Sequence, residues 1–186
     1  MSDVTDGAAY ELDLTAHRFM AVYLHGEIRL PVQLPSFLSF SRPSPGATNY
    51  SSSDESVARV DAQGMVTVLR NGQSTITALG TAGSDTHYML TVKGIRGLEF
   101  LARQGSTWQN AVNLCASVGM QLPSQADFAL LSSLYGAEFS GLGLPNYPIW
   151  GALIGADTAW SYHPHTRQLT AESTDSNTLR QVAGIG

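Results

Sequence analysis

The chain has 186 residues, 43% of them hydrophobic, enough to bury a core in one large domain or two small ones. Only 13% are charged, about half the usual globular share, so the polar surface leans on Ser, Thr, Asn, Gln and Gly. The net charge is −5 and the ten Lys and Arg residues are scattered, which excludes the concentrated positive footprint that nucleic-acid binding requires.

Cys115 is the single cysteine. The chain therefore makes no internal disulfide and has no Cys cluster for zinc. It must hold itself by packing or by assembly with other chains. The N-terminus, MSDVTDGAAYELDLTAHRF, has neither a basic region nor an apolar core of the kind a secretory signal needs. The longest apolar run, Phe19 to Leu24, is too short to cross a bilayer as a helix. The expectation is a protein that stays in the cytoplasm, one that leaves by a route needing no signal, or a segment of a longer exported chain.

Residues 1–14 carry Asp3, Asp6, Glu11 and Asp13 and read as an N-terminal arm, extended or docked on a partner. Phe19 to Leu24 reads as a short strand. Glu27 to Leu34 alternates, with Ile28, Leu30, Val32 and Leu34 on one face, and Pro31 places it at an edge or a bulge. Residues 35–56 are rich in Pro and Ser and read as loop. Phe37, Leu38 and Phe40 stand out there as an apolar cluster for the core or for a neighbouring subunit.

Strands follow at Val57–Asp61, Met65–Leu69, Ser74–Leu79 and Thr86–Lys93, the last with Tyr88, Leu90 and Val92 inward. Asp61-Ala62-Gln63-Gly64 predicts a turn, and Asn71-Gly72 predicts a tight hairpin. Regular short strands rich in Thr and Val predict an all-β sandwich. The pattern breaks at Lys93 to Gly97.

From Ser106 the period is helical. Trp108, Ala111, Val112, Cys115 and Val118 share a face, Ser106 or Thr107 caps the start, and Gly119 ends it. Ser124-Gln125-Ala126-Asp127 predicts a capping box for a second helix. That helix buries Phe128, Leu131, Leu134 and Tyr135 and stops at Gly136. Short strands are predicted at Ile149–Ile154, Ala159–His163 and Leu179–Ile185. The domains so drawn are an arm at 1–14, a β-domain at 15–93 and an α+β domain at 97–186.

The run NYSSSDESVARVDAQGMVTVLRNGQSTITALG resembles the bacterial immunoglobulin-like domain of group 2. Ser51, Ser52, Val57, Ala58, Val60, Asp61, Gly64, Val66, Gly72, Ile76 and Ala78 match its pattern, and Tyr50 stands where that family usually has Trp. The run from Trp108 to Cys115, with Gly119-Met120-Gln121-Leu122-Pro123, resembles a degenerate C-type-lectin-like domain. Ile149-Trp150-Gly151 and Ala159-Trp160-Ser161 resemble that domain's core strands. The pair resembles the tips of intimin/invasin adhesins and some bacteriophage virion proteins. It implies two domains, an immunoglobulin-like sandwich and a lectin-like α+β domain. The second cysteine usual in adhesin tips is absent, as are the Glu-Pro-Asn and Trp-Asn-Asp calcium and sugar motifs.

No nucleophile with a positioned base, phosphate loop or metalloprotease motif is present, so no enzyme, catalytic residue or cofactor is expected. Cys115 lies on the apolar helix face and reads as buried. His163-Pro164-His165 has a metal-like i, i+2 spacing with no evident third ligand beyond Asp157 and Glu172, so no metal is assigned. Trp150 and Trp160 match core positions. Tyr147, Tyr162, His163, His165 and Arg167, with Phe37, Leu38 and Phe40, are the partner-binding candidates. The expected function is a non-enzymatic structural or attachment protein of a phage virion, assembled in the host cytoplasm with other virion proteins or a host receptor as partners. The alternatives are the tip of a bacterial surface adhesin, and a metal-dependent lectin or hydrolase using His163 and His165.

Overall fold

In the computed structural model, residues 7–31, 33–136, 147–175 and 177–186 are described. The chain divides into two compact units, Met1–Phe19 with Gln33–Arg96, and Met20–Val32 with Gly97–Gly186.

The first unit contains two sheets. One has the order β1 (Ala8–Asp13), β9 (Thr86–Lys93), β8 (Gly72–Leu79), β5 (Asn49–Ser52). The other has the order β4 (Ser39–Ser41), β7 (Met65–Val68), β6 (Ala58–Val60). Alternation fills the interior: Ile76 and Ala78 of β8, Tyr88, Leu90 and Val92 of β9, and Val66 and Val68 of β7 are all buried. The predicted turn at Asp61 joins β6 to β7. The Asp61 carboxylate accepts hydrogen bonds from the Gln63 and Met65 amides, each at 2.9 Å. Gly64 has φ +84°, and a Cβ there would strike the Tyr50 ring at 2.9 Å. Glycine is required on both counts.

Three readings of this unit change. The acidic arm is in part a strand: β1 pairs in parallel with β9, Tyr10 opposite Leu90 and Leu12 opposite Val92. Asn71-Gly72 makes no hairpin. β7 pairs with β4 and β6, whereas β8 pairs with β5 and β9, so the dipeptide carries the chain from one sheet to the other. The Pro/Ser-rich stretch contributes β4 and β5, whose short ladders the loop-like composition hid.

The second unit is built on a seven-stranded sheet, ordered β13 (Leu169–Ser173), β12 (Thr158–Tyr162), β11 (Ile149–Leu153), β14 (Arg180–Ile185), β10 (Arg96–Ser106), β2 (Met20–Leu24), β3 (Glu27–Arg29). The segment 20–32, expected with the first domain, belongs here. Met20, Val22 and Leu24 complete a core with Phe100, Phe128, Leu131, Tyr135, Ile149 and Ile185. β3 is the edge strand, as Pro31 led one to expect. β10 and β13 had no counterpart in the predicted strands.

Helices cover both faces of the sheet. α2 (Gln125–Tyr135) packs Phe128, Leu131 and Tyr135 on one face, with Ile149, Tyr162 and Ala183. α1 (Trp108–Ser117) packs Ala111 and Cys115 on the other, with Trp150, Ala159 and Val182. Consecutive residues Ile149–Gly151 of β11 and Gln181–Ile185 of β14 are therefore buried, as in a sheet covered on both faces. Both predicted caps form. The Thr107 hydroxyl accepts from the Asn110 amide, and Ser124 and Asp127 make a reciprocal capping box. α1 ends at Ser117, so Val118, expected on the buried face, is exposed.

Candidate interaction surface

The partner-binding candidates of the second unit cluster at one turn. β12 and β13 are antiparallel, with Tyr162 opposite Leu169. The residues between them are closed by backbone hydrogen bonds, His163 N–H to Gln168 O at 2.9 Å and Arg167 N–H to His163 O at 2.7 Å. Arg167 takes a left-handed φ of 61° to complete the turn. That conformation is uncommon for a side-chain-bearing residue and marks a turn fixed by its context.

His163 and His165 lie within this turn, not on a strand as their spacing implied. Their rings stand nearly perpendicular, at 84° with centroids 6.1 Å apart. The Thr166 amide donates to His163 Nδ1 at 3.3 Å, so that nitrogen acts as an acceptor. Of the carboxylates considered as further ligands, Glu172 is bound by Arg180 at 3.0 Å. Among the described residues no three His, Cys, Asp or Glu side chains converge as a metal would need.

The candidates separate by burial. Arg167 is exposed, and Tyr147, His163 and His165 are half-buried. Tyr162 is not at the surface. Its ring stacks on Phe128 with centroids 4.8 Å apart, because its side of β12 faces α2. Leu38 is likewise fully buried, and the apolar cluster is split. Phe37 stacks on His17 at 4.3 Å and meets the edge of Phe19, while Phe40 remains half-buried in β4.

The two tryptophans assigned to the core occupy it to different degrees. Trp150 is fully buried and donates Nε1–H to the Ser106 carbonyl at 2.8 Å; Trp160 is half-buried against the α2-side core. Cys115 is a buried free thiol. Burial raises its pKa, the opposite of what a reactive thiolate needs.

Sequence reasoning missed Leu153 and Ile154 at the end of β11, which are 50% and 45% exposed. Both lie within the predicted strand Ile149–Ile154, which singles out neither. They are neighbouring exposed apolar side chains at a strand end.

Residues 32–89 match the family model of the bacterial Ig-like domain (group 2). Among solved structures, the fold is similar to intimin-190 from enteropathogenic E. coli, at 20% identity and a TM-score of 0.51, covering 76% of this chain and 81% of that one. It is also similar to the C-terminal 282-residue fragment of intimin solved in complex with the intimin-binding domain of the translocated intimin receptor. That match has 20% identity and a TM-score of 0.51, covering 77% of this chain and 54% of that fragment. Invasin, a bacterial integrin-binding protein, aligns over 74% of this chain and 30% of its own, at 16% identity and a TM-score of 0.42. Comparison with curated proteins gave no match. The chain thus carries a mostly β, intimin-like fold, with a group 2 Ig-like match in its first unit. It resembles the adhesins its motifs pointed to.

Proposed function

We propose that this chain is the binding end of a bacterial surface adhesin. In this reading the first unit is an Ig-like spacer and the second a lectin-like domain that has exchanged sugar recognition for protein recognition. The supporting observation is the likeness of fold to intimin fragments, one of them solved with a receptor domain bound. The same likeness favours the cell-surface alternative over the virion component. The binding surface proposed is the β12–β13 turn, with Arg167, His163 and His165, flanked by Tyr147. Arg and Tyr are the residue types that carry contact energy, and a turn held by its own backbone bonds presents them at little entropic cost. Tyr162 and Leu38 serve the core instead.

The test is binding of the labelled chain to cultured epithelial cells. Saturable binding that disappears after the cells are treated with trypsin supports a protein receptor. Binding that survives trypsin, or no saturable binding at all, overturns the reading.

A further inference from the structure

A second feature lies in the first unit. One flank of its two sheets is closed where β5 meets β6. There the Ser52 hydroxyl donates to the Ala58 carbonyl at 2.7 Å and bonds to Ser74 Oγ at 2.7 Å. The opposite flank is formed by the edges of β1 and β4, each with a strand on one side only among the described residues. Between these edges lies a cleft of about 320 Å³, lined by Tyr10, Leu12 and Leu90 on one side and by Phe40 and Arg42 on the other. That volume is at the lower end of small-ligand sites, which span roughly 300–1,000 Å³.

The cation in this cleft is the unusual element. The Arg42 guanidinium carbon sits 3.3 Å above the centre of the Tyr10 ring, with the Phe40 and Tyr88 rings at 5.8 and 5.9 Å. Arg42 Nη1 is buried, yet no described residue accepts a hydrogen bond from it. A guanidinium N–H removed from water without an acceptor is costly, and ring stacking satisfies the face of the cation but not its edge. Glu11 also lines the cleft, and its carboxylate is paired with Lys93 at 2.8 Å. The positive charge in the cleft is therefore not cancelled from within.

We propose that this cleft binds a carboxylate carried on a small apolar group, as the C-terminal residue of an apolar peptide presents it. The carboxylate accepts from Arg42 Nη1, and the apolar group rests on Tyr10, Leu12 and Leu90. An arginine already stacked is oriented in advance, so little side-chain freedom is lost on binding. The site is independent of the β12–β13 turn.

The test is an NMR titration of the full chain with acetyl-leucine, following the Leu12 and Leu90 methyl groups and the Arg42 side-chain N–H signals. Acetyl-leucinamide serves as the neutral control. Acetyl-Leu-Asp-Leu-amide separates a side-chain carboxylate from a C-terminal one. Saturable shifts with acetyl-leucine, weaker for its amide by roughly ten- to a hundred-fold, are the expected result. Arg42→Gln is expected to remove the discrimination and Arg42→Lys to retain part of it. Equal affinity for acid and amide, stronger binding of the acidic tripeptide amide than of acetyl-leucine, or no saturation in the wild-type chain overturns the proposal, even where Arg42→Gln fails to fold.

Discussion

Asn71 and Ile95 clasp each other by two reciprocal hydrogen bonds. The Asn71 amide nitrogen donates to the Ile95 carbonyl at 2.7 Å, and the Ile95 N–H donates to Asn71 Oδ1 at 2.9 Å. A side-chain amide here serves as one rung of a ladder, pinning the sheet-to-sheet crossing at Asn71-Gly72 to the chain just beyond β9. Ile95 is buried, so its backbone groups have little access to water as an alternative. Asn71→Ala is expected to destabilise the protein by about 1–2 kcal/mol. Asn71→Asp loses the donor while keeping the acceptor, and is expected to cost about half as much or more. Urea unfolding of the two variants checks this.

A second buried polar junction occurs in the other unit. The Tyr135 hydroxyl, at the end of α2, accepts from the Val22 amide at 3.1 Å and donates to the Arg29 carbonyl at 2.6 Å. It therefore ties the β2–β3 hairpin to the helix across a long separation in sequence. Tyr135→Phe keeps the ring in its core and strands both backbone groups. The expected loss is roughly 1–3 kcal/mol, with faster amide exchange at Val22 as the local signature.

The buried tyrosines set the response to alkali. Burial pushes the Tyr88 phenol up to about 12, only partly opposed by the nearby Arg42 charge. Burial also raises Tyr135 and Tyr162. Each raised pKa means that the folded state keeps a proton which the unfolded chain releases near pH 10. Their contribution to stability is complete below about pH 10 and is lost as pH rises from there towards the folded values. Unfolding midpoints in urea should fall steeply between about pH 10 and 12, and tyrosinate absorbance should rise in step with unfolding. Full ionisation of all tyrosines in the folded chain would contradict this.

Cys115 should be silent toward thiol reagents. It is 1% exposed, packed with Ala111, Trp150 and Val182, and its sulfur approaches the Ala183 carbonyl at 3.9 Å. Labelling by an aromatic disulfide is expected only after denaturation. Cys115→Ala is expected to cost no more than about 1–2 kcal/mol, because a small apolar residue replaces another. Rapid labelling of the native chain would show that the α1 side of the sheet opens.

Much of this architecture was legible from local chemistry. The Asp61–Gly64 turn, the caps at Thr107 and Ser124, and the alternation Tyr88, Leu90, Val92 all depend on near neighbours, and all appear as the residues imply. What escaped depends on distant partners. The stretch Ala8–Asp13 alternates charged and uncharged residues too weakly to announce a strand, and its partner β9 lies far along the chain. Asn71-Gly72 has the composition of a hairpin turn, but turn chemistry cannot say which sheet the next strand joins. Tyr162 followed the aromatic cluster into the list of surface candidates. It is buried because helices cover both faces of its sheet, which no single strand reveals. The turn bearing His163, His165 and Arg167 was found by residue type, whereas its left-handed Arg167 has no signature in the sequence.

The proposed adhesive role is tested most directly by saturation binding of the chain to epithelial cells, wild type against a His163→Ala, Arg167→Ala double variant. Both side chains lie outside the buried core, so the double variant is expected to fold, with its unfolding midpoint lowered only slightly by loss of the long Thr166 N–H to His163 Nδ1 bond. The account predicts trypsin-sensitive, saturable binding that weakens at least tenfold in the variant, the consequence of losing about 1.4 kcal/mol or more at a contact centre. Undiminished binding by a folded double variant would contradict it.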